Sequence, residues 1–168
     1  QPRSGNNALL SERGAEVVID HHVPPKRRRW KAELCDVRPH YGATSTMLYE
    51  YLLAANQRPN ARLATMLYYG IQSDTQELGR EANDADIAAF QALVPLAEKR
   101  RLARIRRAPL PPEYFAMLSD ALTHTEVAGS AVITLLRDAS QPDMFAEIAD
   151  LTLRLESART SVCYGPYE

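Results

Sequence analysis

Asp20, His21 and His22 follow directly on the apolar run Val17-Val18-Ile19, and Pro24-Pro25 halt the chain just beyond them. A carboxylate and two imidazoles at one point are donors for a metal ion, one imidazole ligating and the carboxylate fixing its ring. Asp74 is the second candidate. It follows the apolar helical run that ends in Gly70-Ile71 and is flanked by Ser73 and Thr75. A helix C-terminus carries partial negative charge, so a carboxylate there is unfavourable unless a cation compensates it. The plainer readings are a surface turn with a pH-sensitive histidine pair and a simple Asp-Thr turn. Taken alone, Asp74 favours the turn; after a buried strand, Asp-His-His favours the metal.

The elements that must position these groups follow from periodicity. Residues 15–20 read as a short buried strand, a continuous β-branched run too brief for a helix. Side chains alternate along a strand, so only one of the two histidines can point the way Asp20 does. A helix starts after Gly42, with Thr44 or Ser45 as N-cap and Leu48, Leu52 and Ala55 along one face, Met47, Tyr51 and Ala54 beside it. Residues 61–75 repeat the pattern through Leu63, Leu67 and Ile71. The next helix opens at an Asn83 cap with Asp84 and Asp86 in its first turn, and Pro95 kinks or restarts it. The proline-rich segment 108–115 reads as a linker. A short helix (112–122), an apolar strand-like stretch (126–136), a helix (142–156) and a last strand (159–165) complete the pattern. The expected class is α/β in two parts, divided near residue 108.

Composition bounds the function. A net charge of -1 over 168 residues gives no global attraction to nucleic acid. Cys35 and Cys163 lack metal-ligand spacing and read as reduced thiols. No apolar run reaches membrane-spanning length and the first residues lack a signal-peptide core, so the expectation is a cytoplasmic protein with no membrane partner. The polar start and abrupt end read as a piece of a longer protein.

The order "IDHH", "GATSTMLYEYL", "YGIQSDTQELGREANDAD" resembles the DHH phosphoesterase superfamily, in particular its RecJ-like branch of oligoribonucleases, pAp phosphatases and cyclic-dinucleotide phosphodiesterases. The resemblance implies a doubly wound DHH domain in part (1–94), a linker helix (95–111) and the start of a smaller α/β DHHA1-like substrate domain (112–168). It also implies two divalent cations, usually manganese, bridged by hydroxide. By this analogy His21 and Asp74 ligate one cation, Asp20 orients His21, and His22 lies beside the substrate phosphate. The substrate would be a short oligonucleotide or small nucleotide, with inorganic pyrophosphate or polyphosphate as the alternative. A non-catalytic nucleotide-binding module is the reading from another class.

The family's His-x-Asp-x-Asp motif and bridging Asp are not among residues 1–19, whose acids are Glu12 and Glu16. The expectation is therefore a chain inactive by itself, holding at most one cation weakly, within an active parent. An unpaired sheet edge could recruit a second copy and give a homodimer. Thr44 and Ser45, as head of a helix, could meet a phosphate, as could Arg38, His40 and Arg80. For Thr44 and Ser45 helix capping stands level with that role. For Arg38 and His40 a solvated loop is preferred, and Arg80 reads equally as a surface ion-pair partner. The basic runs 26–30 and 98–107, with Trp30 as a stacking platform, could track an oligonucleotide. A solvated linker helix is the preferred reading of 98–107.

Overall fold

The computed structural model describes residues 15–23, 32–139 and 142–166. The run 26–30, with Trp30, lies outside them. Among the described residues are six helices and two small sheets, the α/β class expected from sequence. The chain forms two compact units that divide between Arg107 and Ala108.

In the first unit β1 (Val17–Asp20) pairs in parallel with β2 (Leu34–Val37), Asp20 lying opposite Val37. Four mixed residues show no usable period, so sequence reading missed β2. The helices are α1 (Thr44–Ala54), α2 (Ala61–Asp74), α3 (Asp84–Leu93) and α4 (Lys99–Arg106). Leu67 and Ile71 of α2 are buried against Ala43, Tyr49, Ala89 and Leu93, as the i, i+4 pattern requires. Tyr68 and Phe90 close the flank, ring centres 4.5 Å apart. Helix α4 is held to α2, for the Glu98 N–H donates to Thr65 Oγ1 at 2.8 Å.

Helix α1 departs from expectation at its start. Ala43 is the N-cap, without a side-chain hydrogen bond, and Thr44 and Ser45 are already helical. Asp86 of α3 does the anchoring. Its carboxylate, fully buried, accepts from the Gly42 N–H (2.7 Å) and the Thr46 hydroxyl (2.5 Å). The same carboxylate closes a capping box on Asn83. This contact turns Thr46, Met47 and Tyr49 inward, whereas Leu48 is 39% exposed.

Gly70 sets how closely α2 approaches α1, since a Cβ there would fall 2.1 Å from Ser45 Oγ and 3.1 Å from its Cβ. Alanine gains about 1 kcal/mol of helix propensity over glycine, but overpacking costs about 1–3 kcal/mol. Gly70→Ala is therefore expected to destabilise the chain in urea melts, and to cost much less once Ser45→Ala removes the hydroxyl. A stabilising single substitution would refute this packing.

The second unit is built around β3 (Thr125–Ala128), β4 (Ala131–Leu135) and β5 (Thr160–Tyr164), in that order across the sheet. The stretch read as one apolar run is an antiparallel hairpin turning at residues 129–130. Helix α6 (Asp143–Thr152) is the crossover between the parallel strands β4 and β5. Ala121 of α5 (Pro112–Thr123), Leu136, Ala139 and Ile148 form its core.

Candidate metal centre

Asp20, 7% exposed, ends β1 with its carboxylate turned to His22 rather than into solvent. Asp20 Oδ1 accepts the His22 backbone N–H at 3.0 Å and faces His22 Nδ1 at 2.7 Å. Burial works against this carboxylate, yet the His22 backbone and ring outweigh it and keep its pKa below the ordinary 3.8. Since a carboxylate only accepts, His22 Nδ1 carries the hydrogen and Nε2 is left free on a ring that is 67% exposed.

His21 points otherwise, as strand alternation demands. Its Nδ1 lies 3.2 Å from the Tyr41 carbonyl, which again can only accept. The hydrogen therefore sits on Nδ1, and Nε2 presents a lone pair. That nitrogen lies 3.9 Å from Asp74 Oδ2. The ring that Asp20 holds is that of His22; for His21 the carbonyl of Tyr41 does the orienting expected of Asp20. The two imidazoles meet edge to face, centres 4.2 Å apart, and donor atoms of Asp20, His21 and His22 lie within 4.8 Å of one another.

Asp74 is the last residue of α2, with no basic residue in that final turn. Burial pushes its carboxyl above the ordinary 3.8, while His21 and His22 pull it back. Just beyond it Thr75 is fully buried and acts as a pivot. Its hydroxyl donates to the Ile71 carbonyl (2.6 Å) and accepts the Leu78 N–H (3.0 Å). Gln76, Glu77 and Leu78 then run left-handed, at φ 46°, 61° and 67°. Non-glycine residues in that region are strained by about 1–2 kcal/mol each, so the surroundings must hold this turn in place.

The other sequence candidates are differently employed. Arg38 forks onto Asp36 (2.9 and 2.7 Å) and reaches Glu50 (2.6 Å), so two carboxylates hold the guanidinium expected to meet phosphate. Glu50 also accepts from the Tyr41 hydroxyl at 2.8 Å, which locks the residue whose carbonyl orients His21. His40 is exposed, its ring against Tyr41, and its carbonyl accepts from Asn83 Nδ2 at 2.7 Å. Ser45 packs on Gly70, Thr44 sits at the head of α1, and Arg80 is exposed. Sequence reading missed Tyr41 and Asp86. The first acts through its backbone, which no side-chain pattern reveals; the second showed only as a favourable helix-start acid.

No family model matches the chain. Over 151 residues it is 31% identical to an uncharacterized protein of Methanocaldococcus jannaschii, covering 89% of this chain and 31% of that protein. Its fold is similar to that of an exopolyphosphatase-related protein from Bacteroides fragilis, with a TM-score of 0.65 and 15% identity. That likeness covers 84% of this chain and 44% of the other. The chain thus spans about a third of the length of the curated relative it matches and less than half of the solved protein. Among the described residues no helix is long and apolar enough to cross a membrane.

Proposed function

We propose that this chain carries a cation-binding corner of a DHH-type phosphoesterase, with His21 and Asp74 as ligands of one divalent cation. One observation carries the reading: two donor atoms, His21 Nε2 and Asp74 Oδ2, lie 3.9 Å apart. That separation is too long for a hydrogen bond, yet it lies within the ~4.2 Å that two donors about 2.1 Å from one cation can span. The Tyr41 carbonyl keeps His21 in the tautomer a ligand needs. Imidazole and carboxylate donors suit manganese, and also iron, cobalt or zinc.

Bound there, a cation supplies Lewis acidity towards a phosphoryl oxygen and acidifies a bound water. The chain's own residues do the rest. Asp20 fixes His22 through Nδ1 and leaves Nε2 for the substrate; when the ring carries a second proton, Nε2–H donates to a phosphate oxygen or passes that proton to the leaving oxygen. A two-cation site needs donors beyond these four residues, so the 168-residue chain is expected to hold one ion weakly and to turn nothing over.

The substrate class we favour is the short nucleotide: pAp, a dinucleotide or nanoRNA. The description of the Bacteroides fragilis protein as exopolyphosphatase-related favours a second reading, inorganic polyphosphate. Manganese titration of the chain, followed by the ion's electron paramagnetic resonance, should show one site that His21→Ala weakens by about tenfold or more. Hydrolysis assays on the longer protein, with pAp, pApA, short RNA and polyphosphate, decide the substrate. Release of phosphate from polyphosphate alone sinks the nucleotide reading, and manganese binding indifferent to His21→Ala sinks both.

A further inference from the structure

We propose that the outer face of α4 is a docking track for the phosphate backbone of a single-stranded oligonucleotide, built by Arg100, Arg104 and Arg107. Two contacts fix how α4 lies. At its start the Glu98 N–H bonds Thr65 near the beginning of α2, and at its end Arg106 meets Glu77 at 2.7 Å. Helix α4 therefore runs alongside α2 in the same direction. Its C-terminal end is tied to the turn that begins just after Asp74.

At about 100° per residue, Glu98, Leu102 and Ile105 share one side of α4, flanked by Arg101 and Arg106, and the contacts to Thr65 and Glu77 come from this half of the helix. Both flanking arginines are neutralised, Arg101 by Glu98 at 2.5 Å and Arg106 by Glu77. Arg100, Arg104 and Arg107 fall within an arc of about 60° on the opposite side. All three are exposed, and among the described residues none has an acidic partner. Like charges at this spacing repel one another, and α4 buries no residue that would require them. Partners are thus supplied where α4 meets the fold and withheld where it faces out.

The pattern selects its occupant. Three arginines in line, their neighbouring Cβ atoms about 5–6 Å apart, match a linear anion with one charge per repeat, and each guanidinium can fork onto a phosphate. A membrane surface would need an apolar stripe beneath the cations, whereas Leu102 and Ile105 lie on the side of α4 away from them. The proposal deepens the phosphoesterase reading by naming what the substrate backbone rests on, yet it is tested without metal.

The test is fluorescence anisotropy of a short labelled single-stranded RNA with the 168-residue chain in EDTA, across a range of salt. The triple variant Arg100→Gln, Arg104→Gln, Arg107→Gln is compared with Arg58→Gln, Arg62→Gln, Arg154→Gln, which changes net charge equally. Glutamine is a good helix former, and circular dichroism checks that both fold. The track variant should lose about tenfold in affinity and about 2 in salt slope, three contacts at roughly 0.7 each, while the control stays within about twofold. Equal losses in both variants, no RNA binding by the parent chain, or a stripe that takes polyphosphate or anionic vesicles but not RNA, each overturn the proposal. RNA binding that follows the stripe, with no hydrolysis by the longer protein, keeps the track and removes the enzyme.

Discussion

Asp74→Asn is expected to raise the melting temperature of the metal-free chain at neutral pH while weakening its manganese binding. Partial burial, with 43% of the side chain still exposed, holds the Asp74 carboxyl above its ordinary 3.8 against the pull of His21 and His22, so the folded state keeps this proton to a somewhat higher pH than the unfolded chain and the gain is modest. The ionised carboxylate then works against folding, increasingly as pH climbs from about 3.8 to the raised value and fully beyond it. The negative end of α2 adds to that penalty, and no basic side chain in its last turn relieves it. Asparagine removes the charge at constant shape. The gain should appear at pH 7 and vanish near pH 3, where Asp74 is protonated in both states. The same change replaces a charged ligand by a neutral amide, so manganese affinity falls by about tenfold or more. Thermal melts in EDTA at both pH values, with manganese titrations alongside, read both effects. Unchanged melting at pH 7 together with intact manganese binding would take Asp74 out of the site.

Asp86→Ala is expected to have the largest effect on stability. It strands three donors at once: the Gly42 N–H, the Thr46 hydroxyl and the Asn83 N–H, the last at 2.9 Å. Gly42 and Thr46 are buried and each orphaned buried group costs about 1–3 kcal/mol, so with the lost cap at Asn83 a loss of roughly 3 kcal/mol is expected from urea unfolding. That is a large part of the ~5–15 kcal/mol typical of a folded domain. The damage should reach the metal corner. Gly42 follows Tyr41, whose carbonyl orients His21, and its backbone is closely packed: a Cβ on Gly42 would lie 2.7 Å from Thr75 Cγ2. Thr46→Val breaks a single hydrogen bond of the three and should cost about 1 kcal/mol, leaving manganese binding in place. A loss below about 1 kcal/mol for Asp86→Ala would show that Asp86 is not the anchor.

Much of the fold was legible because its signals are local. Asn83 and Asp86 spell a capping box within four residues, and Leu63, Leu67 and Ile71 mark a buried stripe within one helix. β2 was not, since its pairing with β1 is carried by backbone hydrogen bonds to a strand more than a dozen residues away. The start of α1 was misread for a related reason. Thr44 and Ser45 look like caps in isolation, but the anchor is a carboxylate about forty residues further on. Arg38 shows the same limit in charge. In sequence it is a free cation near a helix start, and in the fold Asp36 and Glu50 close around it.

For the site, sequence alone determined which groups are present: a carboxylate and two imidazoles at the end of a short strand, and a lone carboxylate at the end of a helix. Alternation along the strand already required that His21 and His22 diverge. Only the tertiary structure decided which histidine faces Asp74 and which is held by Asp20, because that depends on where the Tyr41 carbonyl and the end of α2 arrive. Those arrivals are set by packing at Gly70 and by the reach of Asp86, contacts between residues far apart in the chain. A local pattern names the donors; only long-range packing turns two of them towards one point.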